Sequence, residues 1–208
     1  MANISYIAFR EQFVKYGCFN INQVRVWHKD FDACNFTRWC EQKLLIRLRR
    51  GWYAFPEYLK APDFARFIAG RIYKPSYISL HTALSFYGMI PETVVSINSV
   101  STLKTISFSN AFGEYTYQSI KPSLFFGFEL KKTSDGRSIP FATPEKALLD
   151  LLYLYPMYKT EDDMTELRLD EDFLKEDLKA ERMNEYLDLF KNKALESRVR
   201  MLYKTYGL

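Results

Sequence analysis

The spacing of apolar residues predicts three short helices in the amino-terminal part of the chain. Apolar side chains recur every three to four residues between positions 4 and 16, which is the period of a helix. Asn20 stands where it can cap a second helix, and Asp30 or Asp32 can cap a third helix that runs to about Gln42.

Two runs of strand-forming residues follow these helices between positions 45 and 55. Gly51 divides the runs and can take the positive φ of a tight turn, and Pro56 ends the second run. Three helices followed by a basic hairpin are the order of a winged helix-turn-helix, whose third helix enters the major groove of DNA. We therefore predict a winged helix-turn-helix DNA-binding domain over residues 1–58.

The pattern beyond a boundary near residues 58–62 predicts a second, mixed α/β domain over residues 62–208. Helical periods alternate there with β-branched and aromatic runs that turn residues separate, which indicates a mainly antiparallel sheet and a helical carboxy-terminal part. The fold class predicted for the whole chain is α+β. The predicted elements are helices at about 64–72, 79–88, 144–155, 179–191 and 194–206 and strands at 94–100, 105–109, 115–120 and 125–130.

The composition is typical of a folded protein. Of the 208 residues, 48% are hydrophobic and 17% aromatic, which excludes a disordered or collagen-like chain. No stretch reaches the roughly 20 apolar residues that a membrane helix needs, and the first five residues lack the basic start of a signal peptide. The three cysteines, Cys18, Cys34 and Cys40, have no paired spacing, so we expect reduced and mostly buried thiols. We predict a soluble, cytoplasmic protein, and no cofactor requirement is visible.

The charge changes sign along the chain. Residues 1–60 hold 10 basic and 5 acidic side chains, residues 61–140 hold 8 and 5, and residues 141–208 hold 11 and 15. A basic amino-terminal part favours a polyanionic partner, whereas an acidic part is repelled by phosphate. The acidic segment from 161 to 188 is either a solvated surface or a surface that meets a basic protein or the basic domain itself.

Six polar side chains of the predicted DNA-binding domain are candidates for contacts with duplex DNA. On a helix whose buried stripe is centred on Phe36, three of them point outward and have the chemistry to read bases. Three arginines near the hairpin tip repel one another unless an anion lies between them, and phosphate is the obvious anion. The alternative is an ordinary solvated surface. The candidates are Asn35, Arg38 and Gln42 on the helix and Arg47, Arg49 and Arg50 on the hairpin.

Four sets of residues form a combined pattern, namely 36–39 with 45–53, 77–84, 88–92 and 139–150. Together these segments resemble the AbiEi family, the antitoxins of bacterial abortive-infection toxin-antitoxin systems. The resemblance covers about residues 5–155. Lys43 departs from the pattern because a small turn residue is expected after such a recognition helix.

The resemblance implies a two-part protein of a type IV toxin-antitoxin system. Its winged helix represses its own operon, and its carboxy-terminal region counters a nucleotidyltransferase toxin without needing to bind it. Inverted operator repeats would suit two copies on DNA, although a winged helix can also bind as a monomer.

The segment that opens the helix at Pro144 has both a structural and a functional interpretation. Thr143 is a natural N-cap, and Lys146 can pair with Asp150 one turn later on the helix surface. The alternative is an exposed surface used for antitoxicity, formed by Glu145, Lys146 and Asp150.

Other functions have weaker support in the sequence. A winged-helix regulator whose second domain senses a ligand or mediates assembly is the main alternative. The common hydrolase, nucleotide-binding and zinc-protease motifs are missing, and Glu129 with Lys131 suggests a nuclease only faintly, because a partner aspartate is lacking. Neither His28 nor His81 lies near a second metal ligand, so no metal site is predicted.

Overall fold

The computed structural model describes residues 4–208 and has the predicted α+β composition. The prediction made from the first five residues therefore lies partly outside the described residues. We call residues 4–58 the amino-terminal module and residues 62–208 the body.

The amino-terminal module contains three helices and a three-stranded antiparallel sheet of order β1-β3-β2. The first helix is shorter than predicted, because its last turn is a 3-10 turn over Val14–Tyr16. The apolar pattern does not predict β1, which is only three residues long. The elements are α1 (Tyr6–Phe13), β1 (Cys18–Asn20), α2 (Ile21–Trp27), α3 (Cys34–Glu41), β2 (Ile46–Arg49) and β3 (Trp52–Ala54).

Local hydrogen bonds fix the ends of these helices. The Asn20 carboxamide accepts from the Gln23 backbone N–H at 3.0 Å while the Gln23 side chain accepts from the Asn20 N–H at 2.8 Å. This reciprocal pair is a capping box and confirms Asn20 as the predicted cap. Lys43, the residue that departs from the family pattern, takes a φ of 58° just after α3.

Aromatic side chains fill the core of the amino-terminal module. Phe9 on α1 is fully buried and lies 4.6 Å from Trp39 of α3, measured between ring centres. Phe36 of α3 stacks on Tyr53 of β3 at 4.3 Å, so the third helix packs directly on the sheet.

The body is built on a six-stranded mixed sheet of order β6-β7-β5-β4-β9-β8. Three neighbouring pairs are antiparallel, and the pairs β4 with β9 and β5 with β7 are parallel. The elements are α4 (Phe64–Ile72), β4 (Ser76–Ile78), α5 (Leu80–Phe86), β5 (Ile97–Ser101), β6 (Ile106–Asn110), β7 (Gly113–Ser119), β8 (Phe128–Lys132), β9 (Ser138–Ala142), α6 (Pro144–Leu154), α7 (Glu161–Glu166), α8 (Glu171–Glu176), α9 (Ala180–Phe190) and α10 (Lys193–Tyr206).

The body contains most of the predicted elements and two strands more. The five helices predicted there correspond to α4, α5, α6, α9 and α10. The strands β4 and β9 were not predicted. Three of the five neighbouring strand pairs are antiparallel, as expected of a mainly antiparallel sheet, and the pairs β4 with β9 and β5 with β7 are parallel. The acidic segment that begins at Glu161 starts with two short helices, α7 and α8, that are not among the predicted elements.

Helices cover both faces of this sheet. The Tyr117 hydroxyl donates to the Ala69 carbonyl of α4 at 2.9 Å on one face. On the other face the Tyr77 hydroxyl donates to Asp150 of α6 at 2.9 Å. Residues buried on both faces make this sheet the centre of the largest apolar core.

The module and the body share an apolar core. Cys18, Leu48 and Ala54 lie on the sheet face turned away from the module's helices, and they are buried together with Phe64 and Phe67 of the body. The three-stranded sheet therefore has a core on each of its two faces.

Candidate functional site

The outer surface of α3 carries part of the predicted DNA-contacting set. Arg38 and Gln42 are exposed, as expected. The prediction that Asn35 points outward is wrong, because Asn35 is only 6% exposed and its side chain accepts a hydrogen bond from the Arg38 guanidinium. The reason is that Trp39 is buried with Phe36, which moves the centre of the buried stripe toward Asn35.

The hairpin separates two arginines that were predicted to act together. Arg47 pairs with Tyr53 across the strands and is exposed on the face against which α3 packs. The register then shifts between Arg47 and Arg49, so Arg49 pairs with Trp52 on the face that the body covers. Because a shift of one residue turns side chains to the other face, the bulge separates the two guanidinium groups.

Arg49 is part of the contact between the module and the body. Its guanidinium lies 4.7 Å from the ring centre of Tyr73 and 5.2 Å from that of Phe108. It also donates to the Ile72 carbonyl at 3.4 Å. Arg49, which was predicted to contact phosphate, is half-buried and has its guanidinium against two aromatic rings of the body.

Four of the predicted side chains remain exposed on α3 and the hairpin, and we call them the arginine face. Arg47 lies close enough to α3 to oppose the rise that burial causes in the pKa of Cys40. The hairpin and the third helix are therefore neighbours on the same side of the sheet. The arginine face consists of Arg38, Gln42, Arg47 and Arg50.

The predicted antitoxicity residues are buried, so their exposure is a wrong prediction. Glu145 is 1% exposed, and Lys146 and Asp150 are both fully buried. The Thr143 cap is confirmed, because its hydroxyl accepts from the Lys146 N–H at 3.4 Å. Lys146 and Asp150 do form the predicted ion pair, but inside the core rather than on the helix surface.

The Lys146 ammonium is enclosed by aromatic rings from three elements. It lies 5.5 Å, 5.0 Å and 4.9 Å from the ring centres of Tyr77, Phe126 and Phe190. The partner carboxylate of Asp150 accepts hydrogen bonds from Tyr77 and Ser79, each at 2.9 Å. Burial lowers the pKa of Lys146 and raises that of Asp150, while each charge opposes the shift of the other.

Glu145 connects α6 to the carboxy-terminal helices. Its carboxylate accepts from the Lys179 N–H at 3.1 Å and lies 3.6 Å from the Arg182 guanidinium. The segment from Thr143 to Asp150 thus organises the core, and its residues have structural partners for their charges.

The remaining chemical candidates lie apart from one another. Glu129 is exposed on the edge strand β8, and the Lys131 ammonium lies 5.1 Å from the Tyr87 ring centre. Among residues 4–208, no three His, Cys, Asp or Glu side chains come close enough together to hold a metal ion. Of the cysteines, Cys34 is exposed, Cys40 is half-buried, and burial raises the pKa of Cys18 to about 11.

A cleft of about 370 Å³ opens in the body next to His81. Glu92 and Glu166 contribute carboxylates to its wall, and Ser96 and Asn98 contribute neutral polar groups. Burial lowers the pKa of His81, so the neutral imidazole is favoured there.

The acidic carboxy-terminal segment bonds within the body. Lys204 pairs with Glu161 at 3.1 Å, and Lys175 pairs with Glu171 at 2.8 Å. In the part of the chain that the structure describes, no hydrogen bond or ion pair joins residues 161–208 to the amino-terminal module. The structure therefore gives no support to an acidic tail that covers the arginine face.

Sequence reasoning missed the contact that fixes the hairpin to the body. The Asn110 carboxamide donates to the Leu48 carbonyl at 3.1 Å, next to the rings that hold Arg49. Strand alternation over residues 46–49 would place Arg47 and Arg49 on the same face, so no local pattern signals the register shift that turns Arg49 toward the body.

The comparisons with known proteins add no relatives. No protein-family model matches the chain, and none of the curated proteins searched is significantly similar to it. None of the helices formed by residues 4–208 combines the length and the apolar character that crossing a bilayer requires.

Proposed function

We propose that this chain binds duplex operator DNA through a winged helix formed by the amino-terminal module and represses its own transcription. The observation that carries the proposal is the element order α1-β1-α2-α3-β2-β3 with the arginine face on α3 and the adjoining hairpin. A helix presented beside a cationic β-hairpin fits the major groove and the phosphates that border it.

The four residues of the arginine face have different tasks in this proposal. Arg38 and Gln42 on α3 face the bases, where arginine pairs with guanine and glutamine with adenine. Arg47 and Arg50 on the hairpin bind phosphate, which fixes the orientation of the helix but carries no sequence information. The Asn35 side chain accepts a hydrogen bond from the Arg38 guanidinium. Because this bond restrains Arg38 before DNA binds, less conformational entropy is lost on binding.

Binding of the full chain to the DNA upstream of its own gene tests this assignment. Fluorescence anisotropy over a range of salt concentrations gives the slope of log Kobs against log salt. We expect Arg47→Gln and Arg50→Gln each to reduce the magnitude of the slope by about 0.9. Lys193→Gln, an exposed lysine at the start of α10, is the matched control and leaves the slope unchanged. Unchanged slopes for both arginine variants would reject the proposal.

We further propose that the chain acts as the antitoxin to a nucleotidyltransferase toxin of a type IV system. The support is the resemblance of residues 36–39 with 45–53, 77–84, 88–92 and 139–150 to the AbiEi family. Because the segment around Lys146 is buried, the antitoxin activity belongs to surfaces that this segment supports. Co-expression with a nucleotidyltransferase encoded beside this gene tests the proposal, and growth rescue is the expected result. Continued growth arrest with abundant folded protein would contradict it.

One observation favours a second candidate, a winged-helix regulator that senses a small ligand. The cleft at His81 joins an imidazole, two carboxylates and neutral polar groups in one concave site. Operator binding that changes when cell extracts containing small molecules are added, together with no growth rescue in the co-expression experiment, would support this function over the antitoxin.

A further inference from the structure

The contact between the module and the body places a loop of the body beside the hairpin tip. Arg49, the neighbour of the exposed Arg50, stacks on Tyr73 at 4.7 Å. The hydroxyl of the same Tyr73 donates to the Lys104 carbonyl at 2.7 Å. One aromatic ring and one hydrogen bond therefore separate the hairpin from the loop between β5 and β6, residues 102–105.

The backbone of this loop is held in place at several points. The Ser101 hydroxyl donates to the Pro75 carbonyl at 2.6 Å and accepts from the Leu103 N–H at 3.1 Å. At the other end, the Thr105 hydroxyl accepts from the Ser119 N–H at 3.1 Å. Because the backbone is fixed, presenting the Lys104 side chain to a ligand orders only that side chain.

The surroundings of Lys104 favour an anion. Its side chain is exposed, and within residues 4–208 it takes part in no ion pair. No aspartate or glutamate occurs in residues 43–56, which contain the hairpin, or in residues 93–113, which contain the loop. Two elements from different parts of the chain, which Tyr73 connects, thus each present an exposed cation, and neither sequence range contains a carboxylate.

We propose that the loop at residues 102–105 is a second DNA-contacting element, in which Lys104 binds a backbone phosphate next to the one bound by Arg50. This inference rests on the proposed DNA binding and extends the contact surface from the module onto the body. Lys104 adds affinity that does not depend on sequence, because a phosphate contact carries no base information.

The first test compares Lys104→Gln with Arg50→Gln in the full chain on the operator duplex. The expected result for Lys104→Gln is a slope reduced in magnitude by about 0.9. Raising the salt from 50 to 200 mM then weakens binding of this variant roughly 3-fold less than it weakens binding of the wild type. The same variant should weaken binding to an unrelated duplex by the same factor by which it weakens binding to the operator. The control is Lys132→Gln, an exposed lysine on β8 at the opposite edge of the sheet, which leaves both measurements unchanged.

A second test separates a positioned contact from a general change of charge. Tyr73→Phe keeps the ring that Arg49 stacks on and removes only the hydroxyl that holds the Lys104 carbonyl. We expect Tyr73→Phe to weaken operator binding in the wild-type background and to have no further effect in the Lys104→Gln background. Thermal unfolding of each variant checks that the fold is retained.

The outcomes distinguish this inference from the proposed function. If Arg50→Gln reduces the slope and Lys104→Gln does not, the DNA-binding function stands and the loop contact is overturned. Additive effects of Tyr73→Phe and Lys104→Gln also overturn it, since the tyrosine then acts elsewhere. If Arg47→Gln, Arg50→Gln and Lys104→Gln all leave the slope unchanged, the proposed function fails as well.

Discussion

The carboxylate of Asp150 accepts a hydrogen bond from the Tyr77 hydroxyl at 2.9 Å while its other oxygen pairs with Lys146. All three side chains are fully buried, and they come from β4 and α6, on adjoining layers of the body. A buried charge pair is costly to break from one side, because the remaining charge is left without compensation.

Asp150→Asn is therefore expected to lower the free energy of unfolding by about 3 to 5 kcal/mol. The asparagine keeps an acceptor for Tyr77 and Ser79 but leaves the Lys146 ammonium unpaired. The double variant Lys146→Met with Asp150→Asn removes that charge and should be more stable than Asp150→Asn alone. Urea denaturation measures all three proteins. A double variant less stable than the single one would contradict the reason given.

An exposed pair with the same spacing is the matched comparison. Glu171 and Lys175 on α8 are also four residues apart, but both side chains are about half exposed. Glu171→Gln should leave the urea midpoint nearly unchanged, because water screens an exposed pair.

Gly127 should tolerate a side chain poorly for two reasons. Its φ is 71°, and a Cβ there would lie 3.0 Å from the Cγ of Lys146 and 3.0 Å from the Tyr186 ring. Gly127→Ala adds this crowding to the cost of a left-handed backbone, which is about 1 to 2 kcal/mol. Gly88 has a similar φ of 76° and open space around it, so Gly88→Ala carries the backbone cost alone. Equal urea midpoints for the two variants would show that the contact with Lys146 has no energetic effect.

Arg49 should affect stability rather than phosphate binding. Replacing it with Met removes the cation between the Tyr73 and Phe108 rings and is expected to cost about 1 to 2 kcal/mol of unfolding free energy. The salt dependence of operator binding should stay that of the wild type, because no phosphate contact is lost. A reduced slope for Arg49→Met, with unchanged stability, would return Arg49 to the DNA-contacting surface.

The stability of the body should depend on pH through His81. Burial lowers the pKa of His81 below its ordinary 6.5, so the unfolded chain takes up a proton at a higher pH than the folded chain. The unfolding free energy should therefore fall as the pH drops from about 6.5 toward the lowered pKa. Comparing urea midpoints at pH 7.5 and 5.5 tests this, since His81→Gln should show a smaller difference than the wild type. An identical difference in both proteins would refute it.

Arg38 should contribute to the DNA sequence specificity of binding more than to the overall affinity for DNA. Arg38→Ala is expected to reduce the discrimination between the operator and a variant with one changed guanine by about 1 to 3 kcal/mol. Asn35→Ala should have a smaller effect in the same direction, because it releases the guanidinium that the Asn35 side chain holds. Competition binding with paired duplexes provides the measurement, and equal discrimination by Arg38→Ala and wild type would exclude base reading by this residue.

Local sequence signals predicted the helices of this fold better than its strands. Asn20 and Thr143 cap helices where their side chains suggested, since capping depends only on residues within one turn. The strands β4 and β9 were not predicted because both are short. In addition, β9 contains Pro140, and proline is rare inside sheets. Their places at the centre of the sheet depend on long-range pairing that no local pattern contains.

The candidate site shows the same division between local and distant causes. The helical period placed Arg38 and Gln42 on the outside correctly, but the side that Asn35 occupies depended on how deeply Trp39 is buried. The environment of Lys146 could not be predicted from local sequence, because the rings of Phe126 and Phe190 belong to other segments of the chain. In each case the residue type was informative, and its neighbours decided its role.

The double-sided burial of the β1-β3-β2 sheet bears on how this protein can be divided. A fragment cut near Tyr58 would present Cys18, Leu48 and Ala54 to water as a bare apolar layer, and such a fragment is prone to self-association. Moving the amino-terminal module into another protein consequently requires that α4 and the β6 edge accompany it.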